Sequence, residues 1–250
     1  MSVSVNPRGR IAAVFDIDGT LLPAPSLELR LLAHLALNGE LHLRAIGKWM
    51  RSLPVRSLAL DENKAYLEGV KSSAAQEWIA REFTELELFS DALTMADWHR
   101  RRGHAIVLIS GTLAPLARAV GTLLTGDAEI FVRATELECN VDRWSGRVKG
   151  EVVCGPAKER ALIQIAAENN FDLSRSYAYA DSWKDRWLLG AVGHPIVVNS
   201  APRMARHARR CGWRLVNWDD RVCVPALREH ATLSNVEIRT QDFAEKVSWK

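Results

Sequence analysis

The stretch Ile11-Ala-Ala-Val-Phe-Asp16-Ile-Asp18-Gly19-Thr20-Leu-Leu22 decides how the rest of the chain is read. An apolar run that closes on Asp18-Gly19 is the pattern of a buried strand ending in a tight turn. Asp16 and Asp18, two residues apart at a strand end, point to the same side. Carboxylates held that close raise the affinity for a divalent cation or push one of their own pKa values up. Gly19 permits the sharp turn that leaves neighbouring backbone N–H groups free for an anion.

Further along, residues 105–110 (Ala-Ile-Val-Leu-Ile-Ser) form a second buried run, and strand-like segments recur at 129–134, 177–180 and 195–199. Helical spacing covers 92–102, 113–124, 157–169, 185–192 and 204–211, and residues 138–148 alternate around a turn and read as a hairpin. Strands separated by helices require right-handed crossovers and give a parallel sheet covered on both faces. Residues 24–89 break that alternation. Leu29, Leu31, Leu32, Leu35, Tyr66, Leu67 and Val70 recur at helical spacing, and Gly39, Gly47 and Pro54 divide the stretch into several helices. The expected layout is a core of residues 1–23 and 90–219, a helical cap at 24–89 inserted after the first strand, and a tail at 220–250.

Ligands of such sheets bind beyond the carboxyl ends of the strands, and the acids fall there. Ser110-Gly111 ends the second strand and offers a hydroxyl and an amide at an expected helix entrance, where phosphate binds well. Lys158 follows Gly155-Pro156 at the start of another helix. Asp181-Ser-Trp-Lys184-Asp185 sets two acids four residues apart across a strand-to-helix turn, and hard oxygen ligands so arranged suit Mg²⁺. Each of these last three pieces, taken singly, is also an ordinary cap or solvated charge.

Taken in order, the four pieces resemble the haloacid dehalogenase (HAD) superfamily of phosphatases over residues 11–218. Arg133-Ala-Thr-Glu-Leu-Glu138, Ser145-Gly-Arg147 and Ala191-Val-Gly-His-Pro195 are similar to its phosphoserine-phosphatase-like branch, subfamily IB. The resemblance implies a Rossmann-like three-layer α/β/α fold and a hydrolase acting on phosphoric monoester bonds. It implies Asp16 as the nucleophile forming an aspartyl-phosphate and Asp18 as the acid and base. It further implies Ser110, Gly111 and Lys158 as phosphate holders, and Mg²⁺ held by Asp16, the Asp18 carbonyl and Asp181, with Asp185 in support. A phosphotransferase, a lipid-head-group phosphatase with the same chemistry, or a silent binding protein on the same fold are the alternatives. Lys184, Trp183 and Trp187 depart from the family pattern. Phosphoserine phosphatases also carry a Glu soon after the first motif that reads the substrate's amino group. Here Pro23-Ala-Pro-Ser26 stands in that neighbourhood and Glu28 is displaced, so the expected partner is a small phosphorylated metabolite, and these residues do not support phosphoserine in particular.

Composition is that of an ordinary soluble globular protein. Of 250 residues, 48% are hydrophobic and 25% charged, and 33 basic against 30 acidic residues leave a charge of +3, which makes no case for nucleic acid. No run approaches the roughly 18 apolar residues of a membrane span, and Cys139, Cys154, Cys211 and Cys223 show no zinc or disulfide spacing. A cytoplasmic protein is expected. Residues 41–60 carry Arg44, Lys48, Arg51 and Arg56 among apolar side chains and no acid. They read as an ordinary cap helix, with contact to an anionic membrane surface as the alternative. The basic clusters at 99–102 and 203–214 read as solvated helix faces.

Overall fold

The computed structural model describes residues 9–52, 63–126 and 129–223. In chain order the elements are β1 (Ala12–Phe15), α1 (Leu27–Leu37), α2 (Leu43–Ser52), a single helical turn (Ala65–Leu67), α3 (Ser72–Glu82), β2 (Glu87–Phe89), α4 (Ser90–Arg101), β3 (Ala105–Leu113), α5 (Ala114–Thr125) and β4 (Ile130–Thr135). There follow a hairpin of β5 (Leu137–Asn140) and β6 (Arg143–Val148), α6 (Pro156–Asn169), β7 (Tyr177–Ala180), α7 (Arg186–Gly190), β8 (His194–Val198), α8 (Pro202–Cys211), β9 (Arg214–Val216) and β10 (Arg221–Cys223).

Six strands form a parallel sheet in the order β4-β3-β1-β7-β8-β9. β1 lies between β3 and β7, so the three segments that carry the sequence motifs are neighbours. Its side chains alternate between two apolar layers, as the period of a strand demands. Ala13 and Phe15 join one cluster with Leu108, Leu116 and Leu31, while Ala12 and Val14 join another with Val107, Leu162, Leu188 and Met204. Helices therefore cover both faces, which makes the three-layer α/β/α fold. Phe15 is fully buried and stacks on Tyr179, with ring centroids 4.6 Å apart. Truncating a buried phenylalanine to alanine costs about 3–5 kcal/mol, so the strand bearing Asp16 is firmly set.

The helices between β1 and β2 share the first of these clusters. Leu27, Leu31 and Leu35 of α1, Trp49 of α2 and Trp78 of α3 pack into it together with Tyr66. Ser26 caps α1 by accepting from the Leu29 N–H, and Gly39 ends the helix at φ +67°. Gly47, expected to break a helix, lies inside α2 instead, because one glycine costs a helix only about 1 kcal/mol. Pro54 and Arg56 lie outside the described residues.

Three further differences from the sequence reading bear on the site. β3 continues past Ser110 to Leu113, with a register irregularity between the two, so the helix begins only at Ala114. Residues 185–192 divide into a 3₁₀ turn (Trp183–Asp185) and the short α7. Residues 221–223, assigned to the tail, pair antiparallel with β2. Among the described residues no helix is long and apolar enough to cross a membrane.

Candidate active site

Asp16 leaves the end of β1 and Asp181 the end of β7, its parallel neighbour, in the register Phe15↔Tyr179. Between these strand ends and the start of α6 the chain gathers three acids around one lysine. Lys158 Nζ lies 2.7 Å from Asp16 Oδ1 and 2.5 Å from Asp185 Oδ1, with all three side chains buried. Ser182 donates its hydroxyl to Asp185 Oδ2 and so fixes that carboxylate from the other side. Carboxylate oxygens of Asp16, Asp181 and Asp185 lie within 4.8 Å of one another.

Burial holds the Asp16 carboxyl above the ordinary carboxylate range. Lys158 pulls it down, and Asp185 and Asp181 push it up. Asp181 is pushed up to about 7, first by burial and then by Asp185. Burial alone would lower the Lys158 pKa, but the two carboxylates outweigh it and keep the ammonium charged. Three acids thus share one cation, a balance that a bound divalent cation would correct. Asp181 Oδ1 is buried with no hydrogen-bond partner, which is a costly state for a carboxylate oxygen unless a ligand takes it. This donor set of hard oxygens with one orphaned atom fits Mg²⁺.

Gly19 makes the approach possible. A Cβ at this position would stand 2.3 Å from Asp181 Oδ2, and the residue's φ of +82° favours glycine. The loop it turns presents Asp18, whose Oδ1 accepts the first N–H of α1, that of Leu27, at 2.8 Å. Burial raises the Asp18 pKa, and this backbone bond works against the rise.

Ser110 is buried, with its Oγ accepting from the Thr112 N–H, and Gly111 follows it in the irregular part of β3. The helix entrance expected there is displaced to Ala114, so any anion contact in this loop comes from a strand irregularity and not from a helix N-terminus. Thr135 Oγ1 donates to the Gly111 carbonyl at 2.8 Å and steadies the loop from β4. The Gly155 N-cap of α6 lies against the Trp187 ring.

One pairing was not anticipated. Glu28, the second residue of α1, accepts from Lys64 Nζ through both carboxylate oxygens at 2.6 Å each, and the Tyr66 hydroxyl donates to the same carboxylate. Lys64 is 0% and Glu28 5% exposed. Glu28 follows Leu27, whose N–H bonds Asp18, so the pair borders the site. Its members are 36 residues apart, and no spacing rule links them. The other unanticipated groups are Thr20 Oγ1 and Thr112 Oγ1, both buried without a hydrogen-bond partner beside the two motif loops.

The family profile described as haloacid dehalogenase-like hydrolase matches residues 13–190. A Mycobacterium tuberculosis protein named "Probable phosphatase" is 28% identical, over 93% of this chain and 86% of its own length. A phosphoserine phosphatase of the same organism is 27% identical, over 82% of this chain and 70% of its own. The crystal structure of a protein of unknown function from Bordetella pertussis Tohama I superposes with a TM-score of 0.66 at 25% identity, covering 83% of this chain and 98% of that one.

Proposed function

Because the chain belongs to the haloacid dehalogenase-like hydrolases, we propose that it is a phosphatase that hydrolyses a small organic phosphomonoester through a phosphorylated Asp16. The relatives named as phosphatases support the reaction class. The observation that carries the mechanism is Lys158 held between Asp16 and Asp185, next to the partnerless oxygen of Asp181.

A carboxylate attacking a phosphate dianion meets like-charge repulsion, and positioned cations offset it. Lys158 supplies one positive charge at Asp16. Mg²⁺ held by Asp16, the Asp18 carbonyl and Asp181, with Asp185 in support, would supply the rest as a Lewis acid on the phosphoryl oxygens. Asp16 Oδ attacks phosphorus and the ester P–O bond breaks. Asp18, whose carboxyl burial pushes above its ordinary value, gives its proton to the departing alkoxide. The resulting Asp18 carboxylate takes a proton from water, which cleaves the aspartyl-phosphate and frees Asp16. Ser110, the Gly111 N–H and Lys158 hold the phosphoryl oxygens throughout.

Glu28 argues against an amino-bearing ester such as phosphoserine. Its carboxylate already has an internal ammonium from Lys64, so it offers a substrate amine no unneutralised charge. We read residues 24–89 as the cap that encloses the leaving group. The test is phosphate release across a panel of phosphorylated metabolites, with Mg²⁺ and with chelator, for the natural chain and Asp16→Asn. Metal-dependent release lost in Asp16→Asn is expected, because the amide cannot act as the nucleophile. Turnover by Asp16→Asn at the natural rate would refute the mechanism.

A further inference from the structure

The loop after β7 carries a second feature, on its outer side. Arg186 follows the buried Asp185 directly, and its guanidinium lies 3.2 Å from the Trp187 ring centroid and 4.4 Å from that of Trp183. Arg203, in the first turn of α8, lies over the same Trp183 ring at 4.0 Å. His207, one turn further, meets the ring edge-on at 5.2 Å. Arg186 also donates to the Trp183 carbonyl at 2.9 Å. Two guanidinium groups are therefore gathered over one indole.

Several arginines elsewhere have carboxylate partners: Arg10 with Glu129, Arg118 with Glu136, Arg133 with Glu168, and Arg160 with Glu151. Among the described residues no carboxylate pairs with Arg186 or Arg203, nor with Arg206 and Arg210, which continue the stripe down α8. Rings that hold two like charges together, with no acid to neutralise them, leave a place that an anion would stabilise. Its position is specific. α8 begins after β8, the neighbour of β7, so Arg203 stands at the carboxyl end of the sheet, where ligands of such folds bind. A Cβ at Gly155, three residues before Lys158, would meet the Trp187 ring at 3.4 Å, and Asp185, the residue before Arg186, bonds Lys158.

We propose that Arg186 and Arg203, arrayed over Trp183, form a second anion subsite at the rim of the phosphoryl site, and that the preferred substrate is a phosphoester carrying a further phosphate group. The guanidinium planes, already ordered by stacking, present fork donors to that phosphate while the reacting phosphoryl group sits at Asp16. The inference rests on the phosphatase reading, and its test separates the two.

The experiment compares the natural chain, Arg186→Gln, Arg203→Gln and the double variant in two assays. With Mg²⁺, kcat/KM is measured for fructose 1,6-bisphosphate and for p-nitrophenyl phosphate. Loss of one charge-assisted hydrogen bond corresponds to at least about a tenfold loss. A fall of that size, carried by KM and confined to the bisphosphate, is expected for each single variant. Equal changes on both substrates would overturn the proposal. In chelator, calorimetry measures binding of the bisphosphate with no turnover required, so this arm reads the subsite even if the chain hydrolyses neither ester. Binding by the natural chain that is lost in the double variant is expected. No binding by the natural chain, or binding unchanged in the double variant, would overturn it. So would a heparin affinity lost in Arg206→Gln/Arg210→Gln with the bisphosphate bound equally by all variants, since the stripe would then serve a polyanion.

Discussion

Lys64→Met tests whether the ion pair bordering the site is charged and sealed. The substitution leaves the Glu28 carboxylate buried without its cation, and such a group neutralises itself by taking up a proton. The cost follows from the pH. Glu28 has an ordinary pKa of 4.5 when unfolded. Holding it protonated at neutral pH costs 1.36 kcal/mol for each pH unit above that value, or about 3.4 kcal/mol at pH 7. This falls within the roughly 3–5 kcal/mol seen when one partner of a buried pair is removed. For a chain of this size it corresponds to a Tm about 7–14 °C lower. The sign is fixed. The folded pKa of Glu28 in the variant lies above its unfolded value, so its contribution is complete below pH 4.5 and is lost as pH rises toward the folded value. The deficit should therefore shrink to about 1.4 kcal/mol near pH 5.5. Denaturant unfolding of the natural chain, Lys64→Met and Glu28→Gln/Lys64→Met at both pH values reads this out. The double variant, with both charges gone, should recover most of the loss and show no such slope. A single variant within about 1 kcal/mol of the natural chain at both pH values would show that the pair is open to water, as for an exposed bridge.

Two other perturbations act on the acid cluster. Gly19→Ala places a Cβ against the Asp181 carboxylate and strains the turn, so the Mg²⁺ concentration for half-maximal activity should rise by more than about tenfold, equivalent to roughly 1.4 kcal/mol; an unchanged metal requirement would exclude Asp181 as a ligand. Asp181 has a folded pKa of about 7 against 3.8, so the metal-free protein loses stability as pH rises through that window, and Mg²⁺, which displaces the proton, should raise Tm more at about pH 8 than at about pH 5.5; a thermal scan with and without chelator showing the opposite trend would refute this.

The sequence made the site's chemistry legible wherever a motif is local. Asp16, Asp18 and Gly19 belong to one strand and its turn, so the strand period and a glycine's freedom suffice to orient them. The parallel sheet followed from alternation, and it brings Asp181 beside Asp16. Reading stopped where geometry depends on distant segments. Ser110 was placed at a helix entrance because Gly-Thr after a buried run resembles a cap, whereas pairing with β4 carries β3 on to Leu113. Arg221 and Val222 have no strong strand signal of their own, and they become a strand because β2 offers an open edge. The Glu28–Lys64 pair and the Trp183 rim each unite side chains from separate elements, and no periodicity in the chain encodes them.

The contacts that close the site also bear on how a substrate reaches it. The β5–β6 hairpin, which precedes the segment bearing Lys158, joins residues 69–72 by backbone bonds. Gly69 N–H donates to the Trp144 carbonyl at 2.8 Å, Trp144 N–H to the Val70 carbonyl at 2.9 Å, and Ser72 N–H to the Asp142 carbonyl at 2.8 Å. Gly146 lets the two surfaces meet, since a Cβ there would stand 2.9 Å from the Glu68 Cβ. Parting them gives up these bonds, at about 0.5–1.5 kcal/mol apiece net, and also exposes the apolar surface that Trp144 shares with Tyr66 and Val70. The loop after β7 ends in Trp183, Arg186 and Trp187, which are held by ring stacking and are only partly buried. In the proposed subsite, a substrate passing this loop would meet two positive charges before Lys158, which favours anions and would place a second phosphate beside Arg186 and Arg203 when the first arrives at Asp16.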